Sequence, residues 1–432
     1  MDFYIISLGC AKNLVDSERL SNLLTKNNYK MTDDVSEASL IIINTCGFIE
    51  EAKKESVETI LEVIKGKKKN SKIIVFGCLV QRYKKELEEM MPEVDFFLPV
   101  MPVEKLFREI KKEFPVKRVV FKLGEGKRIC FTPPSYSYIK ISDGCNNECS
   151  YCTIPFIRGK LKSLTIDEIL LNVKRLLDKG VNEINLIAQD ITLYGKDLYG
   201  KPSLELLLER ILSIKRDFWL RLLYLYPSRI TSTLIKLIKN DSRIVKYLDI
   251  PIQHVSNRIL RLMRRHYTKE ILINKIQMLR EYIPNISIRT SLITGFPTET
   301  EDDFFELVEF VKMIRFNHLG VFEYSDEEGT RAFSLKPKVP RDIRRRRRSI
   351  ILKVQKEVVK ENSRFYIGKT LPCLVEMPVD EYGALWSGRI YCQAPEVDGC
   401  VYITGYEESM GNIVPVKIKR FKNYDFLGAC CK

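Results

Sequence analysis

The chain contains no run of 18 apolar residues, so no helix is expected to span a membrane. It opens MDFYIISLGC, a few apolar residues ahead of a cysteine. No Lys or Arg precedes them and the run is short, so a targeting segment is not expected and a cytoplasmic location is. Without a secretion signal, disulfides account poorly for 12 cysteines; metal ligands or buried apolar thiols suit a reducing compartment better. Nor is the composition that of a disordered chain, with 45% hydrophobic and 29% charged residues.

What is present begins with length. At 432 residues the chain exceeds one compact core, and roughly 150 residues per domain suggests about three. A formal net charge of +15 suggests a polyanionic neighbour, although generically Lys-rich surfaces would give the same excess.

Residues 1–125 read as an α/β domain. FYIISLG, LIIINT and KIIVFG are short β-rich runs, and Val15–Asn27 and Glu50–Lys65 between them have helical spacing. Such alternation implies right-handed crossovers and a parallel sheet. Each run is followed at once by a cysteine, Cys10, Cys46 or Cys78. In a parallel sheet all carboxyl ends lie on one edge, where these folds place ligands, so three thiols converge and a metal site is the favoured reading.

Residues 130–363 alternate again. YSYIKISD, EINLIAQD, FWLRLLYLYP, YLDIPIQH, SIRTSLITGF and HLGVFEYS are strand candidates, with helices such as Thr165–Lys179 and Glu299–Ile314 between them. Six βα-type units suit a partial barrel with its site at the strands' C-terminal mouths. Residues 337–364 read as a basic helix carrying five consecutive arginines, Arg344–Arg348. Residues 364–432 turn to Gly-punctuated strands, TLPCLVEM, LWSGRIY, CVYITGY and IVPVKIKR, which read as a small antiparallel barrel. Its 8 basic and 8 acidic side chains leave it neutral.

The stretch CNNECSYC places Cys145, Cys149 and Cys152 just after the first strand of the central region, at a mouth. Three clustered thiolates can hold three irons of a [4Fe–4S] cube and leave the fourth open to a reacting ligand. Structural zinc wants four protein ligands, and no fourth cysteine or histidine lies nearby. This C-x3-C-x2-C spacing, with Tyr151 before the last cysteine, resembles the radical S-adenosylmethionine (SAM) enzymes. That resemblance implies that the open iron chelates SAM, and that one electron cleaves it to a 5′-deoxyadenosyl radical able to abstract an unactivated hydrogen.

Over its whole length the chain resembles the methylthiotransferases of that superfamily: an N-terminal domain with three lone cysteines, a radical SAM core and a terminal TRAM barrel. SLGCAKN, NTCGF and GCLVQRY, by motif match, imply a second [4Fe–4S] cluster on Cys10, Cys46 and Cys78. SLGCAKNLVDSE, AQDITLYGKDLYG, LDIPIQH and APEVDG are similar to the RimO-type branch, whose target is an aspartate of small-subunit ribosomal protein twelve. Ala11 and Thr298 depart from that branch, which has Pro and Gly there.

The resemblance also implies SAM contacts from Tyr151, Gln189, Asp190, Gln253, Ile293 and Gly295, while His254 is a donor candidate at the mouth or a structural histidine. It implies an electron donor as a further partner and makes the arginine helix a candidate contact for ribosomal RNA. No catalytic residue is assigned. Cys130, Cys373, Cys392, Cys400, Cys430 and Cys431 match no role. A tRNA-adenosine methylthiotransferase and a non-catalytic Fe–S ribosome-binding protein remain alternatives.

Overall fold

The computed structural model describes residues 1–116 and 131–431; Cys130 and the expected first domain boundary lie outside them. The chain divides into two compact units, Met1–Phe131 with Thr153–Lys160, and Thr132–Cys152 with Leu161–Lys432.

In the first unit the elements run β1 (Asp2–Ser7), α1 (Ala11–Lys26), β2 (Lys30–Met31), β3 (Leu40–Thr45), α2 (Glu50–Gly66), β4 (Lys72–Gly77), α3 (Cys78–Met90), β5 (Phe96–Leu98) and α4 (Val103–Glu113), joined by the short α5 (Ile154–Arg158). The strands pair in parallel in the order β2-β1-β3-β4-β5. Side chains alternate across a strand, so Leu40 and Ile42 meet α1 and α4 through Leu20, Leu24 and Leu106. Ile41 and Ile43 face the other way, onto Ile60 of α2 and Leu79 of α3. Both faces are covered, which is why these strands read as unbroken apolar runs. Helix α1 begins four residues earlier than its apolar spacing indicates, because Lys12, Asn13, Asp16, Ser17 and Glu18 are buried polar residues.

The second unit holds six parallel strands in chain order, β6 (Tyr136–Lys140), β9 (Glu183–Ile187), β10 (Trp219–Leu222), β11 (Ile244–Asp249), β12 (Ser287–Thr294) and β13 (His318–Glu323). A two-residue pair, β7 (Ser142–Asp143) and β8 (Lys162–Ser163), extends the first strand. The outer layer is α6 (Ile166–Leu177), α7 (Lys196–Tyr199), α8 (Leu204–Leu212), α9 (Ser232–Asn240), α10 (Asn257–Leu262), α11 (Lys269–Tyr282) and α12 (Glu301–Ile314). This is the expected partial barrel. The basic helix α13 (Arg341–Ser363) starts after Pro340, later than the basic stretch itself.

A closed barrel completes the unit: β14 (Thr370–Pro378), β15 (Leu385–Ile390), β16 (Val401–Thr404), β17 (Ile413–Lys422) and β18 (Asp425–Cys430). Four of its pairings are antiparallel, and β16 with β18 is parallel. The sequence reading missed β18, DFLGAC, which carries no β-branched residue. This barrel seats on the N-terminal ends of the six strands. Arg389 of β15 donates to Glu183, the first residue of β9, at 2.5 Å, and Arg221 of β10 donates to the same carboxylate at 2.6 Å. The opposite, C-terminal ends are left to the cysteine loop. Among the described residues no helix is long and apolar enough to cross a membrane.

Candidate metal centres

Cys10 caps the N-terminus of α1, Cys46 follows β3 directly and Cys78 opens α3 after β4, all at one edge of the parallel sheet. Two glycines permit the loops to close on one another. A Cβ on Gly9, which sits at φ +87°, would lie 2.6 Å from Cys46 Cβ, and one on Gly47 would lie 2.7 Å from the Leu79 backbone. Asn13 ties the loops together, its Nδ2 donating to Leu8 O at 2.9 Å and Thr45 O at 3.3 Å. Asn44 Nδ2 in turn donates to Asn13 O and to Ser17 Oγ, both at 2.9 Å. Ser56 fixes Cys46, accepting from its N–H at 3.1 Å and donating to its carbonyl at 2.9 Å.

The electrostatics favour a cationic occupant. Burial, with the neighbouring Cys10 and Cys78 sulfurs, pushes the Cys46 thiol up to about 11 against one Phe48 N–H. Burial likewise raises Cys78, while Arg158 works to lower it. Cys10 keeps a solvent-facing surface. Crowding by protein atoms opposes its ionisation, but Lys12, the Asn13 N–H and Arg158 outweigh that and its thiol pKa falls. Cys46 and Cys78 are held protonated by burial and by the neighbouring sulfurs, so a metal that takes the charge favours their ionisation, and an all-sulfur set of three suits iron in a cube.

Sequence reasoning missed Asn13, Asn44 and Arg158. The first two were findable as polar residues inside motif runs. Arg158 follows the other cysteine set in sequence, and only the fold assigns it to this unit.

In the second unit Cys145, Cys149 and Cys152 lie on the loop after β7. The loop is pinned at Ser150, whose N–H donates to Met263 O at 3.0 Å and whose carbonyl accepts from Ala332 N at 2.8 Å. Asn147 N–H points at Cys145 Sγ at 3.4 Å, and its side chain bridges Asp190 at 2.8 Å and Arg229 at 2.7 Å. Asp190 is buried and also accepts from Arg229 and Thr192, so its carboxylate holds the cysteine loop in place. Burial pushes the Cys145 thiol up to about 11, with Asp190 and Cys149 adding to it against the Asn147 N–H. Arg265 is buried, donates to Cys149 Sγ at 3.6 Å and to Pro251 O at 2.6 Å, and lies 4.2 Å over the Tyr226 ring.

Of the remaining residues expected at the mouth, Gln189 follows β9, Gln253 follows β11 and Ile293 and Gly295 lie at the end of β12, while Tyr151 is on the cysteine loop. Gln189 Nε2 donates to Asp143 at 3.0 Å, while its buried Oε1 has no partner. That orphaned acceptor fits an ammonium such as the amino group of SAM. Gln253 adopts φ +69°, and its carbonyl accepts from Ile293 N at 2.8 Å. Tyr151 and Ile293 pack on one apolar cluster with Met263, Phe296 and Tyr324. Gly295 N–H donates to Glu299 at 2.7 Å. His254 is fully buried: its Nδ1 accepts from Ser256 N at 3.1 Å and its Nε2 faces Glu299 at 3.7 Å. Burial depresses its pKa to about 3, so it is a neutral core histidine and not a donor to the mouth.

The five arginines divide. Arg344 donates to Val339 O and Tyr324 O, Arg347 to Glu299 at 2.9 Å and to Glu301, and Arg348 to Val321 O. Only Arg345 and Arg346 of the run are exposed without such a commitment among these bonds.

Three family models match the chain: Uncharacterized protein family UPF0004 over residues 2–99, the Radical SAM superfamily over 139–311 and the TRAM domain over 367–431. The radical S-adenosylmethionine methyltransferase TsrM from Kitasatospora setae superposes with a TM-score of 0.56 at 13% identity, over 74% of this chain and 72% of that one. The cobalamin-dependent radical enzyme OxsB gives a TM-score of 0.51 at 14% identity, over 83% of this chain and 56% of that one. These likenesses speak to fold alone. Fold and matched models together define the class, a radical SAM protein extended by an N-terminal α/β unit and a TRAM barrel.

Full-length relatives narrow it. The ribosomal protein uS12 methylthiotransferase RimO of Acetivibrio thermocellus is 45% identical over 98% of this chain and 97% of its own length. The protein of the same name from Aquifex aeolicus is 43% identical over 99% and 97%. The chain belongs to the RimO family of radical SAM methylthiotransferases.

Proposed function

We propose that this protein replaces a hydrogen on the β-carbon of an aspartate of ribosomal protein uS12 by a methylthio group. The observation that carries this is the full-length identity to RimO relatives, joined to two separate three-cysteine sets at strand C-terminal edges. Cys145, Cys149 and Cys152 hold one [4Fe–4S] cluster and Cys10, Cys46 and Cys78 a second. When bound, the first cluster and SAM supply one-electron cleavage of the sulfonium and a radical able to take an unactivated hydrogen.

The chain's own residues orient and exclude water. Gln189 Oε1 accepts from the SAM amino group, and Asp190 acts through Asn147 on the cysteine loop. Tyr151, Gln253, Ile293 and Gly295 line the SAM site, with Tyr151 and its apolar cluster shutting water from one side. In this reading the functional domains are 1–125, 130–363 and 364–432. The protein works in the cytoplasm with an electron donor, and Arg345 and Arg346 meet ribosomal RNA. The neutral barrel supports a protein target, since bare tRNA demands a phosphate-tracking basic surface.

The test is 5′-deoxyadenosine formation by anaerobically reconstituted protein with dithionite and SAM, together with intact masses of ribosomal proteins from cells lacking the gene. uS12 lighter by one methylthio group is the expected result. Loss of methylthio-adenosine from tRNA with unchanged ribosomal protein masses transfers the assignment to the tRNA branch. Absence of deoxyadenosine leaves a binding protein.

A further inference from the structure

The segment directly after Cys152 leaves the second unit and packs in the first. Helix α5 ends at Arg158, and its guanidinium reaches the thiol set of the N-terminal sheet. Nη2 donates to Asn13 Oδ1 at 2.6 Å and lies 3.7 Å from Cys78 Sγ, while Nη1 donates to Asp16 at 3.0 Å. The Arg158 side chain is 4% exposed. Asn13 is the residue that ties the loops after β1 and β3, so it also fixes where the guanidinium points.

A plain structural ion pair would need Asp16 alone. Here a planar fork is held by two side-chain oxygens so that the same nitrogen that bonds Asn13 also faces a candidate ligand sulfur. A buried cation beside cluster thiolates stabilises the state with one more electron, because that state carries more negative charge and the low-dielectric surroundings screen the attraction weakly. Hydrogen bonds to cluster sulfurs and local charge are recognised determinants of cluster potential.

We propose that Arg158 is a positioning residue that raises the reduction potential of the cluster bound by Cys10, Cys46 and Cys78. The proposal rests on the reading of those cysteines as cluster ligands. Asp16 opposes it: its carboxylate offsets part of the cation, so the two residues shift the potential in opposite directions.

The test uses the full chain with Cys145, Cys149 and Cys152 replaced by Ala, which leaves the N-terminal set alone. Iron content and an EPR-monitored redox titration are measured for this parent and for Arg158→Gln, Arg158→Lys and Asp16→Asn added to it. Arg158→Gln should lower the midpoint, changing the oxidised-to-reduced ratio at fixed potential at least tenfold, which is about 59 mV for a one-electron couple. Arg158→Lys should recover part of that shift, and Asp16→Asn should move the midpoint the other way. An unchanged midpoint in iron-loaded Arg158→Gln overturns the proposal. So does loss of iron in both the Gln and Lys variants, which makes Arg158 a scaffold residue. If Gln alone loses iron, a parent-like midpoint in Asp16→Asn overturns it and a raised one supports it. A parent that binds no iron defeats the ligand reading itself, a result distinct from any of these.

Discussion

Asp398, in the loop between β15 and β16, accepts from Arg289 of β12 at 2.5 Å with its own carboxylate 1% exposed. Tyr247 donates to its other oxygen at 2.8 Å, and His318 Nδ1 lies 3.0 Å from the first. This carboxylate, from the APEVDG run, fastens the terminal barrel to three neighbouring strands, β11, β12 and β13. Burial opposes its ionisation, but His318, Arg289 and the Ala394 N–H outweigh that and hold it well below the usual carboxylate range.

A depressed folded pKa gives stability that is present above the unfolded value of about 3.9 and drains away as pH falls below it. Asp398→Asn removes the carboxylate bonded to the largely buried Arg289 and leaves only Asp249 acting on that charge, and should cost about 3 kcal/mol near neutral pH. Urea midpoints at pH 7 and pH 3 check both statements. The gap between wild type and variant should narrow in acid, and parallel loss in the two proteins would sink the assignment.

Thr298 occupies the left-handed region at φ +70°. A β-branched residue there is strained by about 1–2 kcal/mol. Its backbone is held regardless, with Thr298 N–H donating to Pro337 O at 2.9 Å and its carbonyl accepting from Arg258 at 2.6 Å. Its hydroxyl accepts a further bond from Arg258 at 3.1 Å, on the surface, where the net gain is small. Thr298→Gly should therefore stabilise the protein by about 1 kcal/mol in chemical denaturation. A loss of stability would mean that the hydroxyl contact outweighs the backbone strain.

How much of this was legible follows from the range of the interactions. LIIINT and KIIVFG announce strands because both faces of the sheet are covered, and their boundaries agree with the structure residue for residue. The placing of Cys10, Cys46 and Cys78 at one edge of the sheet follows from strand polarity alone. Arg158 meeting Asn13 spans 145 positions, and no local pattern encodes such a pairing. The start of α1 was hidden because its buried face is polar, and β18 because it has no β-branched residue. The arginine run advertised charge density but not which side of a helix each residue takes.

That division gives the run two separable behaviours. Arg347 is buried against Glu299, which also accepts from Gly295 and Phe296 N–H at the end of β12. Burial pushes Glu299 up to about 7 even beside Arg347, so Arg347→Gln lets that carboxyl protonate and should cost about 1–3 kcal/mol, the loss of its hydrogen-bond partner. Arg345→Gln with Arg346→Gln should leave stability within about 0.5 kcal/mol of wild type. The double variant should instead weaken association with the small ribosomal subunit and flatten its salt dependence. Sedimentation at two salt concentrations reads the second effect, and an unchanged slope returns these residues to ordinary solvated surface.

The two cysteine sets make the most direct prediction, because each is built by its own unit. Full reconstitution should give about eight irons per chain, two cubes' worth. Replacing Cys145, Cys149 and Cys152 by Ala should remove half the iron and all deoxyadenosine formation, since in the proposed reading these three would hold the cluster that cleaves SAM. Replacing Cys10, Cys46 and Cys78 should remove the other half, while SAM cleavage persists and methylthiolation of uS12 stops. Gly9→Ala supplies a gentler version: its Cβ would sit 2.9 Å from Cys46 Sγ at a φ that disfavours it, so iron at the N-terminal set should fall while SAM cleavage survives. Iron analysis beside a deoxyadenosine assay separates the cases. Full iron in the Cys10, Cys46 and Cys78 triple variant would reduce that set to packing, and with it the second cluster.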